Sequence, residues 1–123
     1  MINLKTIKVP ERVLKIALEE SKKTNIKKAR LSALSIDKKF CVLFKTHNIK
    51  LIGRHNCFSI HAEHRLITKY RSDINTILVF RNVRHLFAAD SRPCKRCMFL
   101  IREAGIKNVI FFENGFWYKG KVR

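Results

Sequence analysis

The chain has 123 residues, enough for one domain with one core and too few for a core plus a second independently stable module. Hydrophobic residues make up 46% and include nine Phe, which supports a packed interior, and no apolar run approaches the roughly 18 residues of a membrane span. The 27 Lys and Arg against nine Asp and Glu give a formal charge of +18, acid depletion as well as base enrichment, so a polyanionic partner is expected.

Pro10 suits a first helical position, and Val13, Leu14, Ala17, Leu18 and Ser21 follow at helical spacing, which predicts an amphipathic helix over residues 10–23. Its outer face mixes Glu11, Arg12, Lys15, Glu19, Glu20 and Lys22, as suits a scaffold helix covering one face of a sheet. A polar, basic loop from Ser21 to Lys28 follows. Arg30 to Ile36 and Phe40 to Thr46 are strands joined across Asp37-Lys38-Lys39 as a hairpin, with Cys41 a small core packer in the second. Residues His47 to Ile60 form a loop. Ser59 then caps a helix from about His61 to Arg71 that buries Ala62, Leu66, Ile67 and Tyr70.

Within Asn75 to Asn82, Ile77-Leu78-Val79-Phe80 is apolar without alternation, the pattern of a central strand covered on both faces. A second helix runs from about Pro93 to Ala104, capped by Asp90 or Ser91 and stopped by Gly105. Asn108 to Phe112 and Phe116 to Val122 are strands around Glu113-Asn114-Gly115, a strong tight-hairpin signal. The segment Met1 to Lys8 lacks the apolar region of a secretory signal. The cysteines Cys41, Cys57, Cys94 and Cys97 include a C-x-x-C pair after Pro, which suits metal or redox chemistry in a reducing compartment. The expected location is therefore intracellular and cytoplasmic, with no membrane segment.

Two short stretches carry chemistry: His61-Ala62-Glu63 and Pro93-Cys94-Lys95-Arg96-Cys97. They supply one imidazole, two thiolates and a free carboxylate, the set that holds Zn²⁺ with an open coordination position. Cys94 and Cys97 share one helix face, and a helix N-terminus favours thiolate. From Lys38 to Ser72, Glu63 is the only acid against eight Lys and Arg. The pattern H-x-E…P-C-x-x-C is the signature of zinc deaminases acting on nucleobases. It assigns His61, Cys94 and Cys97 as ligands with a water fourth, whose pKa the metal lowers towards about 7. Glu63 is the general acid/base. Residues two apart do not face each other on a regular helix, so His61 and Glu63 must flank that water from the helix end. Two other readings of the same residues are a closed structural site completed by His64 or Cys57, and a thioredoxin-like C-x-x-C, which leaves His-Ala-Glu unexplained.

With these residues in place, the chain from Arg30 onward resembles the cytidine deaminase-like superfamily. The resemblance implies one mixed five-stranded α/β sheet flanked by helices, with zinc held between the two motif helices. It also implies an Asn at the end of the second strand contacting sugar or base; Asn48 matches, and Asn56 is the other candidate. The stretch from Asn48 through Ile52-Gly53-Arg54-His55 to His61-Ala62-Glu63 looks like bacterial tRNA adenosine deaminases. Ser91-Arg92-Pro93-Cys94 looks like the Ser-x-Pro-Cys of polynucleotide cytidine deaminases. Both groups place a helix between their last two strands, whereas the antiparallel ending predicted by Asn114-Gly115 resembles free-nucleoside cytidine deaminases and several bacterial toxin deaminases.

Further substrate-binding candidates are Ala62 between ligand and acid, His55 and Phe58 as pocket walls, and Trp117 in the aromatic and basic C-terminal strand as a stacking platform. The expectation is a single zinc-dependent deaminase domain over residues 1–123 that converts cytosine to uracil in single-stranded DNA or RNA. The alternatives are free cytidine or cytidylate, adenosine in tRNA, and a non-catalytic zinc-stabilised nucleic-acid-binding module. Oligomerisation is not legible in the sequence.

Overall fold

The structure, a computed structural model, describes residues 1–26, 29–52, 57–70, 73–83 and 88–122, and of residues 51, 52 and 57–59 the backbone alone. In chain order the elements are β1 (Ile2–Ile7), α1 (Glu11–Ser21), β2 (Ala29–Ile36), β3 (Val42–His47), β4 (Ile49–Ile52), β5 (Cys57–Ile60), α2 (Ala62–Tyr70), β6 (Thr76–Val83), α3 (Lys95–Glu103), β7 (Asn108–Glu113) and β8 (Phe116–Lys121). None of the described helices is long and apolar enough to cross a membrane.

One mixed sheet runs in the order β1-β8-β7-β6-β2-β3, and β4 and β5 pair separately. The apolar run of β6 dictates this arrangement. Leu78 and Phe80 enter a core under α1 with Val13, Ala17 and Ile110, while Ile77 and Val79 enter the opposite core under α2 and α3 with Leu66, Ile101 and Phe111. A strand buried on both faces needs helices on both, and β6 pairs with β7 in parallel and with β2 antiparallel.

The β2–β3 and β7–β8 hairpins form as expected. Asn114 and Gly115 take φ of 50° and 88°, the two left-handed residues that a tight hairpin turn requires.

Three expectations are corrected. The sheet has six strands, not five, because β1 adds antiparallel to β8, with Lys5 opposite Lys119 and Ile7 opposite Trp117. Five of the six β1 residues are exposed, so the strand is held by the hydrogen-bonding edge of β8 and carries no burial pattern. Gly120 permits this docking: a Cβ there would stand 2.7 Å from Leu4 Cδ2 and 2.8 Å from Met1 Sδ. The segment expected to loop from His47 to Ile60 instead contains the β4–β5 pair. Cys41 is exposed, not a core packer, since β3 starts one residue later and Asp37 Oδ1 ties down the Lys39 and Cys41 N–H groups in a tight turn.

Candidate metal centre and substrate pocket

The strands β6 and β7 stay in parallel register from Thr76 and Asn108 to Leu78 and Ile110. Beyond that, the segment leading to α3 bridges them. Ser91 Oγ donates to the Val79 carbonyl (2.7 Å) and accepts from the Phe112 N–H (2.9 Å), while the Ser91 N–H donates to the Phe112 carbonyl (2.8 Å). Asp90 Oδ1 accepts from the Asn114 N–H. These residues were expected to cap α3. Their side chains serve the sheet instead, and Cys94 occupies the N-cap position with φ −68° and ψ 169°.

On the neighbouring helix, His61 stands just before the first turn and not within it, and its carbonyl accepts from the Arg65 N–H. Thr46 Oγ1 donates to the Ala62 carbonyl (2.8 Å) and Arg65 Nη1 to the His47 carbonyl (2.7 Å), which fixes the start of α2 against β3. Both motifs therefore sit at helix N-termini on one face of the sheet.

His61 Nδ1 lies 3.4 Å from Cys97 Sγ and 4.0 Å from Cys94 Sγ, and all three ligand atoms are within 4.8 Å of one another. A tetrahedral Zn²⁺ with bonds of about 2.0–2.3 Å sets its ligand atoms roughly 3.5–3.8 Å apart, so the donor set and its spacing fit that ion. Among the described residues His64 does not join the group, and the Cys57 side chain lies outside the described atoms.

Glu63 is 2% exposed and its Oε1 has no hydrogen-bond partner among the described residues. Burial pushes its carboxyl above the usual carboxylate range, although its own N–H, His61 and Cys97 pull the other way. Burial also pushes the Cys97 thiol up strongly, and the Glu63 carboxylate and Cys94 add to the effect. A cation held by these ligands would offset both shifts and favour the thiolate form.

A cavity of about 510 Å³ opens on this cluster, with His61, Glu63 and Cys94 in its wall beside Leu31, Asn48 and Arg81. Asn48 is in the wall, and its amide also extends the β2 ladder. Oδ1 accepts from the Leu31 N–H and Nδ2 donates to the Ala29 carbonyl, each at 3.0 Å. Ala62 is not among the lining residues; its methyl group is buried in the core. Trp117 is also displaced from its expected role. It packs against Phe80 and edge-on to Phe112 on the α1 side, because its register opposite Phe112 points it into that core. His55 and Asn56 fall outside the described residues, and of Phe58 only its place in β5 is described. Sequence reasoning passed over Arg81, and it read Ser91 only as a helix cap and as part of the Ser-x-Pro-Cys resemblance. The signal for Arg81 was a charge two residues after Val79, on the same face of an otherwise apolar strand.

A search of curated proteins found no match to this chain. The family profile described as the cytidine and deoxycytidylate deaminase zinc-binding region matches residues 7–113, a span that takes in α1, both ligand-bearing stretches and β7. With its His61, Cys94 and Cys97 gathered at zinc spacing and Glu63 buried beside them, the chain belongs to the cytidine and deoxycytidylate deaminase zinc-binding family.

Proposed function

We propose that the protein hydrolyses cytosine to uracil and ammonia, with the base presented in single-stranded DNA or RNA. The observation that carries the reaction is Glu63. A buried carboxylate with an unpaired oxygen, beside three metal ligands and in a cavity wall, is placed to move protons. His61, Cys94 and Cys97 would hold the ion, and bound Zn²⁺ would supply the Lewis acidity that makes water a nucleophile near neutral pH. Glu63 would carry one proton of the attacking water to the ring nitrogen as the C4–O bond forms, then carry the proton of the new C4 hydroxyl to the amino group, so that the carbonyl forms as the C4–N bond breaks and ammonia leaves.

The carrier is read from charge. A formal +18 suits a polyanion better than a single small anion. A second reading, free cytidine or cytidylate, is favoured by one observation. Trp117 and Tyr118 pack against Phe80 and Phe111 on opposite faces of β8, which leaves the exposed Phe116 as that strand's one aromatic open to stacking, where a single strand would use several.

Ammonia release from the zinc-loaded protein, compared across cytidine, its 5′-monophosphates, single-stranded oligocytidylates and adenosine-containing RNA, separates these readings. Turnover of the oligomers at higher kcat/KM than the monomers is expected. Rapid turnover of monomers with oligomers untouched overturns the polynucleotide assignment.

A further inference from the structure

We propose that Arg81 forms a phosphate-binding subsite within the cavity, so that cytosine is accepted on a phosphorylated carrier; this rests on the deaminase reading above. Side chains alternate along β6. Ile77 and Val79 face the core under α2 and α3, and Arg81 follows them on that face, in the cavity wall that also holds His61 and Glu63.

Among the described residues its buried Nε has no hydrogen-bond partner, and no carboxylate lies within ion-pair distance. Apart from the site's own His61 and Glu63, the other charged residues of the wall are engaged or exposed. Arg92 makes a two-bond pair with Glu113 (3.0 and 3.1 Å) and lies over the Phe111 ring, and Asp90 accepts from the Asn114 N–H. Lys50 is exposed at the same wall and adds a second positive charge.

A guanidinium with a dry, unpaired Nε, fixed on a central strand, is a fork awaiting a two-oxygen anion. Within a cavity that takes a nucleobase, the anion carried by the substrate is phosphate. A 5′-monophosphate and a backbone phosphodiester share this chemistry, and binding measurements tell them apart.

The test uses zinc-loaded Glu63→Gln protein, whose turnover should be too slow to matter during a titration, and calorimetric binding of cytidine, 5′-cytidylate and a trinucleotide with central cytosine. At least one phosphorylated ligand should bind about tenfold or more tightly than cytidine. In Glu63→Gln/Arg81→Gln that ratio should fall to about one. Arg81→Lys keeps the charge but not the fork, should lower the ratio roughly three- to tenfold, and serves if the Gln variant does not fold. Preference for cytidylate identifies the monophosphate, and preference for the trinucleotide alone identifies the diester. The subsite is overturned if phosphate confers no preference, or if the preference survives both Arg81 changes. Failure of the deaminase reading looks different: native protein then releases no ammonia from any cytosine substrate, whatever Arg81 binds.

Discussion

Asn48 serves the ladder and the pocket with one amide. Its Oδ1 and Nδ2 satisfy two β2 backbone groups, and the same side chain stands in the cavity wall. Asn48→Ala leaves the Leu31 N–H and the Ala29 carbonyl without those partners and should cost about 2–4 kcal/mol, read from denaturant midpoints. A change below roughly 0.5 kcal/mol would show that water replaces both bonds. Glu20 offers a test by pH. Burial works to raise its pKa, but the His47 imidazole at 2.7 Å and the Lys23 ammonium at 3.0 Å outweigh this and hold it below the ordinary 4.5. A depressed carboxylate stabilises the fold above its unfolded pKa, and that contribution is lost as pH falls through the folded value. The melting-temperature gap between native protein and Glu20→Gln should therefore be full above about pH 5 and close progressively below it. A gap that is constant with pH would contradict the pairing.

The parallel pair β6–β7 positions the site, and Ser91 ties its carboxyl ends together through both its hydroxyl and its N–H. Ser91→Ala removes the hydroxyl bonds to Val79 and Phe112 two residues from Pro93 and three from Cys94. It should cost about 1–3 kcal/mol and weaken zinc retention against a chelator, measured by competition with a chromophoric zinc ligand. Unchanged retention would mean that α3 alone places Cys94. Elements whose burial repeats with a fixed period were legible beforehand: the three helices within a few residues, the two-faced β6 run, and the Asn114-Gly115 turn. The metal ligands were legible because coordination chemistry restricts residue type and spacing together. β1 was not legible, since edge hydrogen bonds leave no apolar pattern in a strand that is almost wholly exposed. Trp117 misled for a related reason. An aromatic among lysines suits a stacking platform or a strand equally, and only its pairing with Phe112 decides which face it takes.

Across the whole molecule the formal charge of +18 dominates. If single strands are the carrier, affinity for oligocytidylates should fall steeply with salt, with a log–log slope of several units; a slope near one fits a lone phosphate contact. The reaction class stands independently of that outcome, because it rests on four residues at the mouths of two helices. Its most direct test is to compare zinc content and ammonia release of native protein and Glu63→Gln on the best cytosine substrate found. Equal zinc, with turnover lowered by about 10²–10⁴-fold or more in the variant, is predicted. Equal turnover in both proteins, or no turnover in the native protein on any cytosine substrate with zinc fully bound, would contradict the assignment.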